Sequence, residues 1–275
     1  MSATDDKTPT IGDRMKDYEN VLASKLDPTL PWMCRLDGHK FSSYTRPFKK
    51  PFDERIHNCM VAAASALADA LNPVCVYTCS DEITLVFPVL SQHDPANEAL
   101  EGDQKKQNQT IIYNGKVQKL ASLMASYATV AFDREMNKQV FGDDEAKLKQ
   151  HVEQVRPYFD GRVFNMPSDA EMVNNLVWRC HFDYRRNSIS TFARSFFTTK
   201  ELHLKSCLDM LAMIKEKGAD WEDLPAQFKY GTFIKKELYD KETVVDGNVV
   251  VSKRSRAVVL HKDMAACNDN TKAFV

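Results

Sequence analysis

Two short apolar runs, Val74–Cys79 (VCVYTC) and Ile83–Phe87 (ITLVF), are separated by only three polar residues, Ser80-Asp81-Glu82. Each is too short for a helix and rich in β-branched or aromatic residues, which predicts a tight β-hairpin or a strand with a sharp corner. Upstream, Trp32–Leu36 (WMCRL) predicts a buried strand stopped at Asp37-Gly38. Between strand and hairpin, Pro51 opens a predicted helix running to Leu71. Its apolar residues Phe52, Ile56, Cys59, Met60 and Ala63 recur at helical spacing, proline suits the first turn, and Asn72-Pro73 breaks it. Downstream come a predicted helix over 115–134 and a strand over 162–166. The order strand, helix, strand, strand, helix, strand is that of a ferredoxin-like α+β unit, with helices on one face of an antiparallel sheet.

The remaining segments add to that unit. Residues 13–25 and 143–154 predict short helices, and the polar stretch 92–112 a surface loop. Helices are expected at 168–198, broken along the way, and at 201–217. The end is β-rich, over 229–239, 247–252 and 256–260. No internal repeat or low-complexity block interrupts the chain. At 275 residues and 43 % hydrophobic, it can bury the core of one large domain or two small ones. We read residues 1–140 as the core and 141–275 as its continuation, one integrated unit.

Net charge is −1, so no global basic field draws the chain to nucleic acid or anionic lipid, and a polyanion must be met by local clusters. No apolar run approaches the ~20 residues that span a bilayer. The opening residues carry Asp5, Asp6 and Asp13 without an apolar core, which argues against a secretory signal or a transit peptide. Of seven cysteines, only Cys75 and Cys79 are closely spaced, and no second pair or His-x-x-x-His accompanies them. Reduced core thiols are expected rather than zinc. The expected setting is soluble and cytoplasmic, a mitochondrial location also being allowed, with no membrane partner.

Asp37 ends the first strand and Asp81 sits at the junction of the next two. Neighbouring strands can bring these carboxylates to one edge, where two hard oxygen ligands suit Mg²⁺. Two such ions ~4 Å apart activate an attacking oxygen and stabilise a leaving one. From spacing alone, Asp-Gly is equally a common turn and Ser-Asp-Glu an ordinary hairpin tip. Cations for a phosphate-rich substrate occur as Lys49 and Lys50, as Lys116 and Lys119 on one helix face, as Lys105 and Lys106, as Arg185, Arg186 and Arg194, and as Lys253, Arg254 and Arg256. Any one cluster can equally be solvated surface; together they point to phosphate without naming the substrate.

Several segments, in order, resemble the tRNA-His guanylyltransferase family. They are Arg35–Gly38 (RLDG) with Phe41 and Lys50-Pro51, Tyr77–Phe87, GKVQKLASLMAS at 115–126, PYFDGRVFNMPS at 157–168, NLVWR at 175–179, KYGTFIKK at 229–236 and RSRAVVLH at 254–261. The resemblance implies a polymerase/cyclase palm with added helices and a small C-terminal β-rich extension. It implies addition of nucleotides to the 5′ end of tRNA, the end first being activated by a nucleotide, commonly ATP, before the 3′-hydroxyl of GTP or another NTP attacks. Asp37, Asp81 and the Gly38 carbonyl match metal ligands for two Mg²⁺ ions, and Glu82 matches an acidic neighbour supporting catalysis. Ser80 and residues 37–42 (Asp37, Gly38, His39, Lys40, Phe41, Ser42) match nucleotide contacts; Lys50, Lys116 and Lys119 match cations on the triphosphate. The resemblance also implies a homotetramer, which lines the basic clusters of several chains along one RNA.

The family's guanylyltransferases proper carry a His-Ile-Asn-Asn-Leu-Tyr-Asn-Thr block after Trp-Arg. Here Trp178-Arg179 is followed by CHFDYRRNSIST, with Arg186-Asn187-Ser188 in its place. That resembles the guanylyltransferase-like branch, associated with template-dependent repair of tRNA 5′ ends, rather than addition of one untemplated G to tRNA-His. His39 and Ser42 stand where the family usually has Arg and His. Arg162, Arg186, Asn187, Arg254 and Arg256 are the expected tRNA contacts. A nucleotide cyclase and a catalytically silent tRNA-binding protein are the other readings of the same residues.

Overall fold

A computed structural model describes residues 10–89, 111–245 and 248–264. The elements, in order, are α1 (Ile11–Asn20), β1 (Trp32–His39), α2 (Phe41–Tyr44), α3 (Glu54–Leu71), β2 (Cys75–Cys79), β3 (Glu82–Phe87), α4 (Val117–Met136), α5 (Ala146–Gln154), β4 (Tyr158–Asn165), α6 (Asp169–Val177), α7 (Arg185–Ala193), α8 (Cys207–Glu216), α9 (Ala226–Tyr230), β5 (Thr232–Val245) and β6 (Asn248–Leu260), with short 3₁₀ turns between some of them. A π-helix over Trp178–Tyr184 joins α6 to α7, and is where the long helix expected over 168–198 breaks. Most of the expected 92–112 loop, with Lys105 and Lys106, lies outside the described residues.

One antiparallel sheet of six strands runs β4-β1-β3-β2-β5-β6. Its first four strands, with α3 and α4, follow the strand, helix, strand, strand, helix, strand order of the sequence. The sheet draws β4, β5 and β6 from beyond residue 140 and β1 to β3 from before it.

Helices cover both faces of this sheet, not one face as expected. Trp32, Cys34 and Leu36 of β1 face α3 and α4, packing with Met60, Ala63, Leu67, Leu120, Met124 and Phe132. Met33, Cys75, Tyr77 and Val86 point the other way and pack under Met172, Val173 and Leu176 of α6 and Tyr184 of the π-helix. The reason is in the strands. Their apolar runs do not alternate with polar residues, so both faces must be removed from water. A third cluster, Ile189, Ala193, Met210, Ile214 and Trp221, holds α7 against α8.

β5 pairs with β2 only over Thr232–Lys235. From Lys236 onward it pairs with β6 alone, as a two-stranded arm. β6 is continuous across the polar residues Ser252–Arg256, where the sequence predicted two strands. Among the described residues, all six cysteines are free, and no helix is long and apolar enough to cross a membrane.

Candidate active site

β2 and β3 are joined by Ser80-Asp81 alone, because Cys79 pairs with Glu82. Ser80 holds a left-handed φ of 50°, a conformation a non-glycine residue adopts at some cost and one that recurs at functional turns. The turn is fastened to β1, the Gly38 N–H donating to the Asp81 carbonyl at 2.9 Å. That bond brings Asp37 and Asp81 to one end of the sheet. Asp37 lies opposite Glu82 on β3 and opposite Asp160 on β4, so four acidic residues gather there.

Gly38 is required by packing. A Cβ there would lie 2.3 Å from the Phe41 ring. Lys40, at φ 54°, turns the chain into α2, and Phe41 drops into an aromatic nest with Tyr44, Phe132 and Phe159, ring centroids 5.2 to 5.5 Å away. The same turn leaves Ser42 exposed.

Burial, and then the nearby Asp37 charge, raise the pKa of Asp81, against a 3.0 Å hydrogen bond from the Ser80 hydroxyl. Glu82 is pushed up to about 7, first by burial, while its ion pair with Arg35 opposes the shift. Arg35 is buried, and its Nε and Nη1 lack a hydrogen-bond partner among the described residues. Asp37 is one-third exposed, with Arg162 Nη2 3.9 Å from its carboxylate.

A cleft of about 370 Å³ opens beside Asp81. Ser42, Lys49, Lys50 and Ser80 line one wall, Asn187 and Arg194 the other. Lys50 Nζ donates to the Thr45 carbonyl at 2.8 Å, and burial lowers its pKa. Deeper in, Phe52 stacks on Phe228 at 4.7 Å, and His57 sits 5.9 Å from His261, ring to ring. His39 and Lys40 are exposed and do not line the cleft.

Among the described residues, no group of three or more His, Cys, Asp or Glu side chains is placed to hold a metal. A cation here would rest on Asp37 and Asp81 with backbone, phosphate and water oxygens. That donor set fits Mg²⁺, and a cation would offset both the burial that chiefly raises the Asp81 pKa and the added repulsion from Asp37.

Lys116 and Lys119 are not brought to this cleft within one chain. The Lys116 backbone pairs with Lys25, and the neighbouring Asp27 N–H donates to Asn165, which lies opposite Trp32. That is the far end of β1, roughly 17 Å of strand from Asp37. Lys119 lies one turn further along α4, its ammonium 5.0 Å from the centre of the Tyr113 ring.

The expected RNA contacts fall in three places. Arg162 is at the acidic end. Arg186, held to Asp183 at 2.8 Å, and Asn187 are at the cleft rim, and Arg254 and Arg256 are on the arm. Asp160 and Arg35 were missed. The strand was expected to start at 162, too late to include Asp160. Arg35 was signalled by a cation inside WMCRL, since a charge in a buried strand needs a partner.

The family model for tRNAHis guanylyltransferase matches residues 12–167. Over 249 residues the chain is 31 % identical to an uncharacterized protein of Acanthamoeba polyphaga mimivirus, spanning 88 % of this chain and 82 % of that one. It is 25 % identical over 256 residues to a probable tRNA(His) guanylyltransferase of Drosophila melanogaster, spanning 86 % and 76 %. Among solved structures, a bacterial tRNA(His) guanylyltransferase-like protein in complex with ATP superposes with a TM-score of 0.75 at 29 % identity, covering 97 % of this chain and 99 % of that one. The tRNA(His) guanylyltransferase of Saccharomyces cerevisiae, at 19 % identity, TM-score 0.59 and coverage of 84 % and 91 %, shares the fold.

Fold and sequence together place the chain in the nucleotidyltransferase class. Within that class it belongs to the tRNA-His guanylyltransferase family.

Proposed function

We propose that this protein is a template-dependent 3′-to-5′ nucleotidyltransferase that repairs tRNA 5′ ends, its first four strands serving as a ferredoxin-like polymerase palm. The observation that carries this reading is the Gly38–Asp81 bond, which sets both carboxylates at one sheet end beside a cleft with lysines and an arginine in its walls. Arg186-Asn187-Ser188, in place of the family's His-Asn-Asn block, favours templated addition over a dedicated G on tRNA-His, which is the alternative.

The chemistry has two steps. A 5′-phosphate oxygen of the RNA attacks the α-phosphorus of ATP, forming a 5′–5′ anhydride and releasing pyrophosphate. The 3′-hydroxyl of an incoming NTP then attacks the RNA 5′-phosphorus. A phosphodiester forms, AMP leaves, and the added nucleotide carries its triphosphate as the new 5′ end. Such transfers ask mainly for in-line positioning and charge neutralisation. Bound at Asp37, Asp81 and the Gly38 carbonyl, Mg²⁺ would lower the pKa of the attacking hydroxyl and offset charge on the leaving group.

Lys49 and Lys50 neutralise phosphate at the cleft mouth, and the Ser42 and Ser80 hydroxyls orient it. Glu82, tied to Arg35, holds the start of β3 in place next to Asp81. Lys116 and Lys119 act on the triphosphate from a neighbouring protomer of a homotetramer.

Offering each labelled NTP in turn to tRNAs lacking one or more 5′ nucleotides tests this. Addition of whichever nucleotide pairs with the template supports it. Addition of G to tRNA-His alone moves the assignment to the alternative, and cyclic nucleotide formed without RNA makes the protein a cyclase.

A further inference from the structure

A second cleft, of about 330 Å³, lies on the outer side of α7, between that helix and the 199–205 segment. Its cations are Arg186, Arg194 and Lys205, and no aspartate or glutamate lines it, although Asp183 pairs with Arg186 at 2.8 Å. Arg194 forms no ion pair among the described residues. Lys205 feels Asp209, but that carboxylate is already held by the Ser206 N–H and hydroxyl in the helix cap. In a chain of net charge −1, this is a locally basic concavity, with Arg194 and Lys205 its least neutralised charges.

Asn187 and Arg194 line both clefts, so the two adjoin at α7. The apolar lining of the second is aliphatic, Leu202, Leu204 and Met210, without the broad aromatic faces on which bases stack. It is therefore equipped to hold phosphates and poorly equipped to hold a nucleobase.

We propose that this second cleft binds the phosphodiester backbone of the RNA strand entering the nucleotide cleft, with Arg194 at the crossing point. The inference rests on the proposed transfer to RNA. A free polyphosphate shares the same chemistry, so the test includes one.

Lys205 is exposed and lines only the second cleft, so Lys205→Ala and Lys205→Glu can be made without touching the nucleotide site. Affinity is measured by fluorescence anisotropy for a short 5′-phosphorylated RNA strand across a range of salt, and by competition for MgATP and inorganic tripolyphosphate. Lys205→Ala is expected to weaken RNA binding roughly three- to tenfold and to reduce the salt slope by ~0.7, the loss of one single-strand phosphate contact. Lys205→Glu weakens it further, and MgATP and tripolyphosphate affinities hold. Lys200→Ala, outside the cleft, leaves RNA binding as in the wild type.

Unchanged RNA affinity and slope in both Lys205 variants overturn the proposal. So does an equal loss for tripolyphosphate or MgATP, which would make the cleft a free-phosphate site, or an equal loss in Lys200→Ala, which would make the attraction diffuse. If the wild type itself fails to bind RNA, the transfer reading falls and takes this inference with it.

Discussion

Gly38 and Phe41 constrain each other. The ring that closes the aromatic nest occupies the space a side chain at 38 would need. Gly38→Ala should therefore cost about 2–3 kcal/mol in urea denaturation, through overpacking next to a rigid ring. Asp37 behaves oppositely. It faces Glu82 and Asp160 across the sheet, and like charges directly opposed are destabilising. Asp37→Asn should reduce nucleotide transfer by at least about a hundredfold, yet leave the melting temperature equal or higher. A melting temperature that falls together with activity would mean Asp37 is a structural residue.

His57 gives a pH signature at the same scale. Burial first, and then His261, push its pKa from 6.5 down to about 4. Between those values the unfolded chain binds more protons. The stability from keeping His57 neutral is thus complete above 6.5 and lost as pH falls towards 4. Allowing for partial exposure, the loss is about 2 kcal/mol, and His57→Gln should flatten the stability profile across that window.

At the scale of elements, what could be read from sequence follows what each segment buries. β1, α3 and the β2–β3 hairpin lie close to where their apolar patterns predicted them, because each presses a continuous face on the core. Asp37 and Asp81 could be named from their places at the strand ends, but the hydrogen bond joining those ends is backbone to backbone and leaves no side-chain pattern. A break within 168–198 was expected, but its place and its π-helical form could not be read, for another reason. A π-turn keeps helical composition and alters only the register, which here lets Cys180 donate to the Tyr230 carbonyl. The arm of β5 and β6 was misjudged because beyond Lys236 it borders no third strand, so no alternation marks it; Leu238 is 72 % exposed and Val251 57 %. For the same reason it is dispensable to the fold. Replacing Tyr239–Arg254 by a two-residue Asn-Gly turn should change stability by no more than about 1 kcal/mol and leave MgATP binding intact. RNA affinity should fall, since Lys241, Lys253 and Arg254 go with it. RNA binding equal to wild type would remove the arm from the tRNA-contacting surface.

For the whole molecule, apolar surface remains unaccounted for within one chain. α1 has no buried residue, and Ile11, Tyr18 and Leu22 are 70, 70 and 84 % exposed. On α4, Leu123, Tyr127 and Val130 form an outward stripe at helical spacing. Exposed stripes of this kind mark association surfaces, in keeping with the proposed tetramer. Light scattering at working concentration should give four times the chain mass, and a monomer mass would count against it. Assembly also bears on RNA, because the site's own cations are few and phosphate contacts dominate such affinity.

The Gly38–Asp81 hydrogen bond has one further consequence. It fastens together the two backbone segments that carry the acidic side chains, although they are far apart along the chain. Their spacing is a property of the backbone, indifferent to what grows around it. The walls, by contrast, come from α2 and the segment that follows it, α7 and α9, which meet the sheet through replaceable side chains. Substitutions in those walls can therefore change substrate choice without moving the pair of acids.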